Sequence, residues 1–219
     1  VMESLLLKKP MVVVAPLQAL LSKIVAPEIV KKFTLEFQVG ERVPLGDTIS
    51  KLSAMGYERV EMIEGRGQFA VRGGILDIYP LSSEYPYRME FFDDEVDSIR
   101  QFLLEDQRSI DKLDKILVGP AREVVYDEET AKAAAIAIAE ELKERQAVLT
   151  SLGNEELVQH LTEKVEVHIE KLSSGLFFDA AELYISKFYP KLCTIMDYFD
   201  NSCISVLVEP GRIKEAQKN

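Results

Sequence analysis

Residues 68–102 alternate apolar and polar side chains with the period of two that an extended strand requires, and this pattern constrains the fold more than any other feature. Two pairs of turn-forming residues divide the stretch, Gly73-Gly74 and Asp93-Asp94. Short consecutive strands joined by tight turns favour antiparallel pairing. The sequence therefore predicts an antiparallel sheet with one apolar side that another element must cover.

A single helix before the sheet is suited to that covering role. Pro44 fits a helix start, apolar residues recur at helical spacing from Ile49 onward, and Gly56 provides a stop. The alternating residues just before Pro44 indicate one more strand. We therefore predict that a helix over residues 45–56 packs against one side of the sheet.

The remaining segments differ in texture from the sheet. Asp127 is a suitable N-cap for an alanine-rich helix, a second helix is expected after Asn154, and a third around 178–188. The apolar runs at 11–17 and 202–210 are typical of strands buried on both sides of a parallel sheet. The predicted fold class is α/β (α+β): an antiparallel-sheet domain with one packed helix, a mainly helical domain, and remnants of a parallel sheet at both ends.

Composition limits the partners. A net charge of -11 argues against a surface that wraps duplex DNA, because nonspecific DNA affinity rests mainly on Lys and Arg. A DNA-binding module with a local basic patch stays open as the alternative. The longest apolar run, residues 11–21, is too short for a membrane helix and no leader opens the chain, so we expect a cytoplasmic protein. Cys193 and Cys203 are accordingly expected to be buried, reduced thiols.

The sequence offers no pattern typical of a catalytic or cofactor site. The stretch GRGQFAVRGGIL has the glycines of a phosphate-binding loop, but Ile75 and Leu76 stand where Lys and Ser or Thr are needed. The acidic residues at 93–97 face alternate sides of a strand, which favours a solvated turn over a metal site. His160 and His168 are separated by two helical turns, roughly 12 Å, too far to share a metal. We expect no catalytic residue, metal or cofactor.

One strand side carries an unusual combination of side chains. Arg88, Glu90 and Phe92 alternate with apolar residues, so a cation, an anion and a ring are expected to stand uncovered on the side opposite the core. Arg72 lies on the same side of a neighbouring segment, and Arg59 precedes the sheet. Arginine and aromatic residues are enriched among the anchors of protein interfaces. Two interpretations stay open at this point, a protein interface and a solvated sheet face with incidental salt bridges.

Several long motifs carry a family resemblance. GQFAVRGGILDIYP is followed by YRMEFFDDEVDSIR, then DQRS, and much later by MDYF and LVEP. These motifs closely resemble the N-terminal region of the bacterial transcription-repair coupling factor (Mfd) family and, more loosely, the excision-repair subunit UvrB. The resemblance implies a piece of a larger protein with four parts: the end of a RecA-like layer called 1a over 1–27, domain 2 over 28–126, a helical domain 1b over 127–192, and the returning 1a strand over 193–219.

In that family, domain 2 recruits UvrA, the damage-recognition ATPase. The resemblance implies that the partner-binding positions are Arg59, Arg72, Arg88, Glu90 and Phe92. Ala70 stands where UvrB has a further arginine of this patch. The resemblance therefore favours the interface over the solvated sheet face.

The resemblance also implies a non-catalytic adaptor. UvrB ends its returning strand in an Asp-Glu pair that serves ATP hydrolysis, whereas this chain has Val208-Glu209. By the same resemblance, the parent is a DNA translocase that displaces stalled RNA polymerase, with RNA polymerase and DNA contacted outside this chain. Its C-terminal region is expected to mask domain 2. The alternative is a DNA-binding module of a repair helicase.

Overall fold

The computed structural model describes residues 1–8, 10–175, 178 and 180–216. The α-helices within these residues are α1 Met2–Leu6, α2 Leu17–Leu21, α3 Pro27–Lys32, α4 Leu45–Ala54, α5 Glu128–Ser151, α6 Glu155–Ser173, α7 Ile185–Phe188 and α8 Pro210–Ala216. The strands are β1 Ile24–Val25, β2 Leu35–Gln38, β3 Glu58–Arg59, β4 Gln68–Arg72, β5 Ile75–Ile78, β6 Tyr87–Phe92, β7 Glu95–Phe102, β8 Ser109–Leu113, β9 Lys115–Val118 and β10 Leu192–Cys193. Two 3-10 turns span Ala181–Tyr184 and Ile195–Tyr198.

The predicted antiparallel sheet is confirmed. It has six strands in the order β3-β4-β5-β6-β7-β8, and every neighbouring pair is antiparallel except β3 and β4. The turn between β4 and β5 depends on its two glycines. Gly73 has φ +59°, and a Cβ on Gly74 would lie 2.7 Å from the carbonyl oxygen of Phe91. The adjacent strand can approach this turn only because Gly74 has no side chain.

Helix α4 covers one side of the sheet, as predicted. Leu52 and Met55 are buried together with Phe69 and Met89 in one hydrophobic core. Gly56 ends the helix with φ +86°. The strand expected before this helix is β2, which pairs antiparallel with β9 and adds a two-stranded ladder to the same core. The side of the sheet turned away from α4 has a small hydrophobic cluster of Ile63, Ala70 and Phe102, and its remaining positions carry mainly polar groups.

Helices α5 and α6 form a second core, and both were predicted. Asp127 caps α5 because its Oδ1 accepts a hydrogen bond from the Thr130 backbone N–H at 2.9 Å. Ile138 from α5 and Leu172 from α6 are buried in this core. The third predicted helix is a 3-10 turn that runs directly into α7. Residue 179 of the range predicted for it lies outside the described residues.

A two-stranded ladder, β1 with β10, joins distant parts of the chain within the helical core. The Val25 carbonyl accepts hydrogen bonds from the Cys193 thiol at 3.1 Å and from the Tyr198 hydroxyl at 2.7 Å. Burial raises the pKa of the Cys193 thiol. The expectation that Cys203 is buried too is wrong, because it lies exposed in a segment without regular secondary structure. Val30 and Val124 pack in this core too, so the chain enters and leaves the sheet part from the helical part. The domain boundaries given above stay predictions.

The strands predicted at the two ends of the chain are wrong. Residues 11–16 and 203–207 have no regular secondary structure, and α2 occupies residues 17–21. Val12 is 90% exposed and Val208 75% exposed. A strand needs a neighbour to satisfy its backbone hydrogen bonds, and in the described part of the chain no strand runs beside either segment. None of the described helices is long and apolar enough to cross a bilayer.

Removing the α5 cap should destabilise the protein. Hydrogen bonds from Thr130 and then from Lys32 hold the pKa of Asp127 well below its usual value, so the ionised form stabilises the folded state. We expect Asp127→Ala to lower the free energy of unfolding by about 1 kcal/mol at pH 7. Because a lowered folded-state pKa contributes stability above the unfolded value of roughly 4, the difference from the unaltered protein should shrink as the pH falls below that value.

Urea denaturation at a series of pH values measures both effects. Asp127→Asn is the matched control, because it keeps a capping oxygen and removes the charge. A difference between Asp127→Ala and the unaltered protein that grows on acidification would contradict this account.

Candidate protein-binding face

Two rows of mainly polar side chains cross the side of the sheet that faces away from α4. Residues paired in adjacent antiparallel strands project to the same side. The first row, read from β4 to β8, is Ala70, Asp77, Arg88, Arg100 and Lys112. The second row, from β4 to β7, is Arg72, Ile75, Glu90 and Ser98. We call these two rows, together with Phe92 at the end of β6, the charged face.

Asp77 organises the first row. Its carboxylate is 2% exposed and accepts hydrogen bonds from Arg88 Nε at 2.7 Å and Arg88 Nη2 at 2.8 Å. Arg72 Nη2 donates to the same carboxylate at 2.8 Å. A buried carboxylate is tolerated only when its charge is paired and its lone pairs are occupied, and both conditions are met here.

Arg88 is held from several directions. Beyond its bidentate contact with Asp77, its Nη2 donates to Gln107 Oε1 at 2.8 Å, and its guanidinium lies 4.5 Å from the centre of the Phe102 ring. Hydrogen bonding to Asp77 raises the pKa of Arg88 above its already high value. The side chain is only 20% exposed. The expectation that its cationic head stands uncovered is therefore wrong, because three neighbours cover it.

The second row contains a separate ion pair. Glu90 Oε2 accepts hydrogen bonds from Arg100 Nη2 at 2.7 Å and from the Ser98 hydroxyl at 2.9 Å. Arg88 and Arg100 are direct cross-strand partners, a placement that is unfavourable for two like charges. The sheet tolerates this placement because Arg88 has Asp77 as its counterion and Arg100 has Glu90.

Phe92 is the exposed aromatic residue of the face, as predicted. Its side chain is 76% exposed, whereas Met89 on the opposite side of the strand is fully buried. A β-bulge follows Glu90 in the pairing with β7, and Asp93 turns the chain with φ +53°. These two irregularities place the ring at the tip of the β6–β7 hairpin.

Arg59 does not share this face. It is exposed on the edge strand β3, in register with Phe69 of the parallel neighbour β4. Paired residues project to the same side, and Phe69 faces α4, so Arg59 leaves the sheet on the helix side. The structure thus brings together Arg72, Arg88, Glu90 and Phe92 and separates Arg59 from them. That all five bind a partner stays a prediction.

Sequence reasoning missed several members of the face. Asp77 carried a usable signal, since it is a charged residue on the non-core side of an alternating strand. Arg100 lies in the row of Arg88, but a β-bulge precedes it in the pairing, so its partner depends on a register that alternation alone does not give. Gln107 carried no signal, because it reaches Arg88 only from a loop where its own φ is +61°.

Comparison with known proteins finds a family match for the sheet part. Residues 35–124 match the family model described as the UvrB interaction domain. This stretch is therefore similar to a UvrB interaction domain. It runs from β2 to just beyond β9, so the whole charged face lies within it.

Relatives resemble nearly the whole chain. The transcription-repair-coupling factor of Bacillus subtilis (strain 168) is 37% identical over 94% of this chain, and that of Staphylococcus haemolyticus (strain JCSC1435) is 33% identical over 94%. UvrABC system protein B of Kosmotoga olearia is 29% identical over 99%. The chain spans 17% of the length of these coupling factors and 33% of the length of the UvrB relative. The resemblance inferred from the motifs is confirmed.

The two histidines lie outside the matched residues 35–124, on α6. The His168 ring stacks on Phe178 with 4.7 Å between ring centres, and its Nδ1 lies 2.9 Å from the Tyr184 hydroxyl. Burial lowers the pKa of His168. His160 is exposed. Within the described residues, no three potential ligands of the His, Cys, Asp or Glu types come together around a metal position.

The charged face should divide sharply into stabilising and freely exposed residues. We expect Asp77→Ala to lower the free energy of unfolding by about 3–5 kcal/mol, because it leaves Arg88 half-buried without its counterion. Phe92→Ala, which removes an exposed ring, should change this free energy by at most about 0.5 kcal/mol. Chemical denaturation measures both, with Asp111→Ala on the exposed strand β8 as a control. Equal effects of Asp77→Ala and Asp111→Ala would contradict the role given to Asp77.

Proposed function

We propose that this chain is a docking module that recruits UvrA through its UvrB interaction domain. One observation carries the proposal: the domain presents an exposed aromatic ring, Phe92, and a half-exposed guanidinium, Arg72, on the same side of a sheet whose opposite side is packed against α4. Aromatic residues and arginine are enriched in protein interfaces.

The geometry suits binding with little rearrangement. Arg72 has one Nη group fixed by the buried Asp77 carboxylate, while 49% of its side chain is exposed and can reach a partner. Phe92 has two rotatable side-chain bonds and is carried by a hairpin whose backbone is tied to Gly74 through the Phe91 N–H. Groups held in place before binding lose less entropy when the complex forms. The geometry of the charged face therefore favours a protein interface over a solvated sheet face with incidental salt bridges.

A wider role follows from the relatives' names. Because these relatives are named transcription-repair-coupling factors, we propose that this chain takes part in coupling transcription to excision repair. The proposed location is the cytoplasm. In this proposal the chain is the non-catalytic adaptor of such a factor, since its matched domain is one defined by interaction and Val208 has no metal-binding atom. The ATP-binding, helicase-like translocase activity that displaces RNA polymerase on DNA would belong to the rest of the parent, whose C-terminal region would mask domain 2.

Titration of purified UvrA against the 219-residue chain tests the proposal. We expect binding, and we expect Phe92→Ala and Arg72→Ala each to weaken it by about tenfold or more, as truncation of interface anchors does. Thermal unfolding should show that Phe92→Ala folds as the unaltered chain does. Isothermal titration calorimetry or biolayer interferometry provides the measurement.

Matched controls come from the helical part. Leu183→Ala removes an equally exposed apolar side chain, and Arg145→Ala removes an exposed arginine of α5, so both should bind UvrA normally. Failure of the unaltered chain to bind UvrA would refute the proposal. Binding to duplex DNA that weakens steeply with salt, in place of UvrA binding, would favour the DNA-binding alternative.

A further inference from the structure

We infer that Arg100 and Lys112 extend the docking surface as direct partner contacts, and that Glu90 is a positioning residue that acts through Arg100. The inference deepens the proposed function and rests on it. Its consequence is that the partner surface must supply carboxylates and an apolar pocket, although this chain is itself acidic overall.

The carboxylates within the two rows of the charged face, Asp77 and Glu90, both have arginine counterions. Asp77 is 2% exposed, and its carboxylate already accepts three hydrogen bonds from Arg72 and Arg88. Glu90 accepts from Arg100 and Ser98 through one oxygen. Asp77 is thus engaged entirely inside the face, whereas Glu90 is 34% exposed but already has Arg100 as its counterion. The groups left to meet a partner are chiefly N–H donors and the Phe92 ring.

Arg100 is only partly covered by its contacts within the face. Its side chain is 30% exposed, and the contacts with Glu90 and Ser98 both use its Nη2. These contacts hold one end of the guanidinium, and its Nε is buried without a hydrogen-bond partner, so the donors that a partner can reach lie in the exposed part of the side chain. An arginine held in this way offers donors in a fixed geometry that suits a carboxylate. Glu90 therefore prepares Arg100 for binding and does not compete with the partner.

Lys112 continues the first row of the charged face beyond Arg100. It is the cross-strand partner of Arg100 on the edge strand β8, it is exposed, and it has no ion partner among the residues that the structure describes. Adjacent strands are about 4.8 Å apart, so Arg88, Arg100 and Lys112 form a short row of three positive charges. Asp77 and Glu90 are the counterions of Arg88 and Arg100, so Lys112 is the cation of this row without an ion partner among the described residues. An acidic side chain of the partner surface can pair with it.

The exposed cationic groups and the Phe92 ring define the chemistry expected of the binding partner. Acidic side chains fit the cationic row, and an apolar pocket fits Phe92 at the end of the face. Charge complementarity of this kind raises the association rate and sets the register of docking. Nucleic acid would also satisfy the positive row, but it would leave the Phe92 anchor without a pocket, so we favour an acidic protein surface.

A double-mutant cycle on the 219-residue chain, with UvrA as the probe, tests the assignment. We expect Arg100→Ala to weaken UvrA binding about tenfold and Glu90→Ala by several-fold. The double variant should bind as Arg100→Ala does, because Glu90 acts only through Arg100. Losses that multiply in the double variant would show that Glu90 contacts the partner itself, which would overturn its positioning role.

Lys112→Glu provides a test that does not disturb packing, because the residue is exposed at an edge strand. We expect about a tenfold loss of affinity and a shallower dependence of affinity on salt concentration. Lys143→Glu on α5 changes the net charge equally and should leave binding within about twofold. Equal effects of the two reversals would overturn the role of Lys112. If the unaltered chain binds UvrA and both Arg100→Ala and Lys112→Glu bind as tightly, the inference alone is overturned; if the unaltered chain does not bind, the proposed function fails with it.

Discussion

The buried carboxylate of Asp77 is the interaction on which the charged face depends. A charge that is 2% exposed costs several kcal/mol of desolvation unless donors surround it, and here two arginines from neighbouring strands supply them. These contacts give the two arginines different roles. Arg88 is largely covered and holds Asp77 in place, whereas Arg72 stays half-exposed. The same strands bury Met89 and Leu76 on the opposite side, so the core holds the backbone on which the ion pairs rest.

Much of this arrangement was predictable from local rules. Period-two alternation in β6 correctly assigned Met89 to the core and Phe92 to the surface, because an antiparallel strand with one covered side must alternate. Helix α4 ended at Gly56 and the hairpin turned at Gly73, where positive φ favours glycine, and Gly74 leaves room for the Phe91 carbonyl because it has no Cβ. The helices α5 and α6 followed from propensity and capping. These features depend on residues close in sequence.

The failures share a different cause. The apolar runs at 11–17 and 202–210 have strand-like composition, but strand formation depends on a neighbour that composition cannot supply. The cover over Arg88 comes from Phe102 and Gln107, which reach it through register and a loop of unusual backbone conformation. The side on which Arg59 leaves the sheet depends on parallel pairing with β4. Each failure therefore concerns a contact between segments distant in sequence.

The ladder between β1 and β10 has a consequence for the order of folding. Val25 and Cys193, which are hydrogen-bonded at this ladder, are 168 residues apart, and closing so long a loop costs conformational entropy. The pairing of Leu35 with Val118 bypasses about half of that length, which lowers the closure cost by roughly 0.6 kcal/mol. Once the pairing of β2 with β9 has formed, it holds the two halves of the helical core near each other. The loop that remains to be closed between them is then about half as long, which favours formation of the helical core after the sheet part.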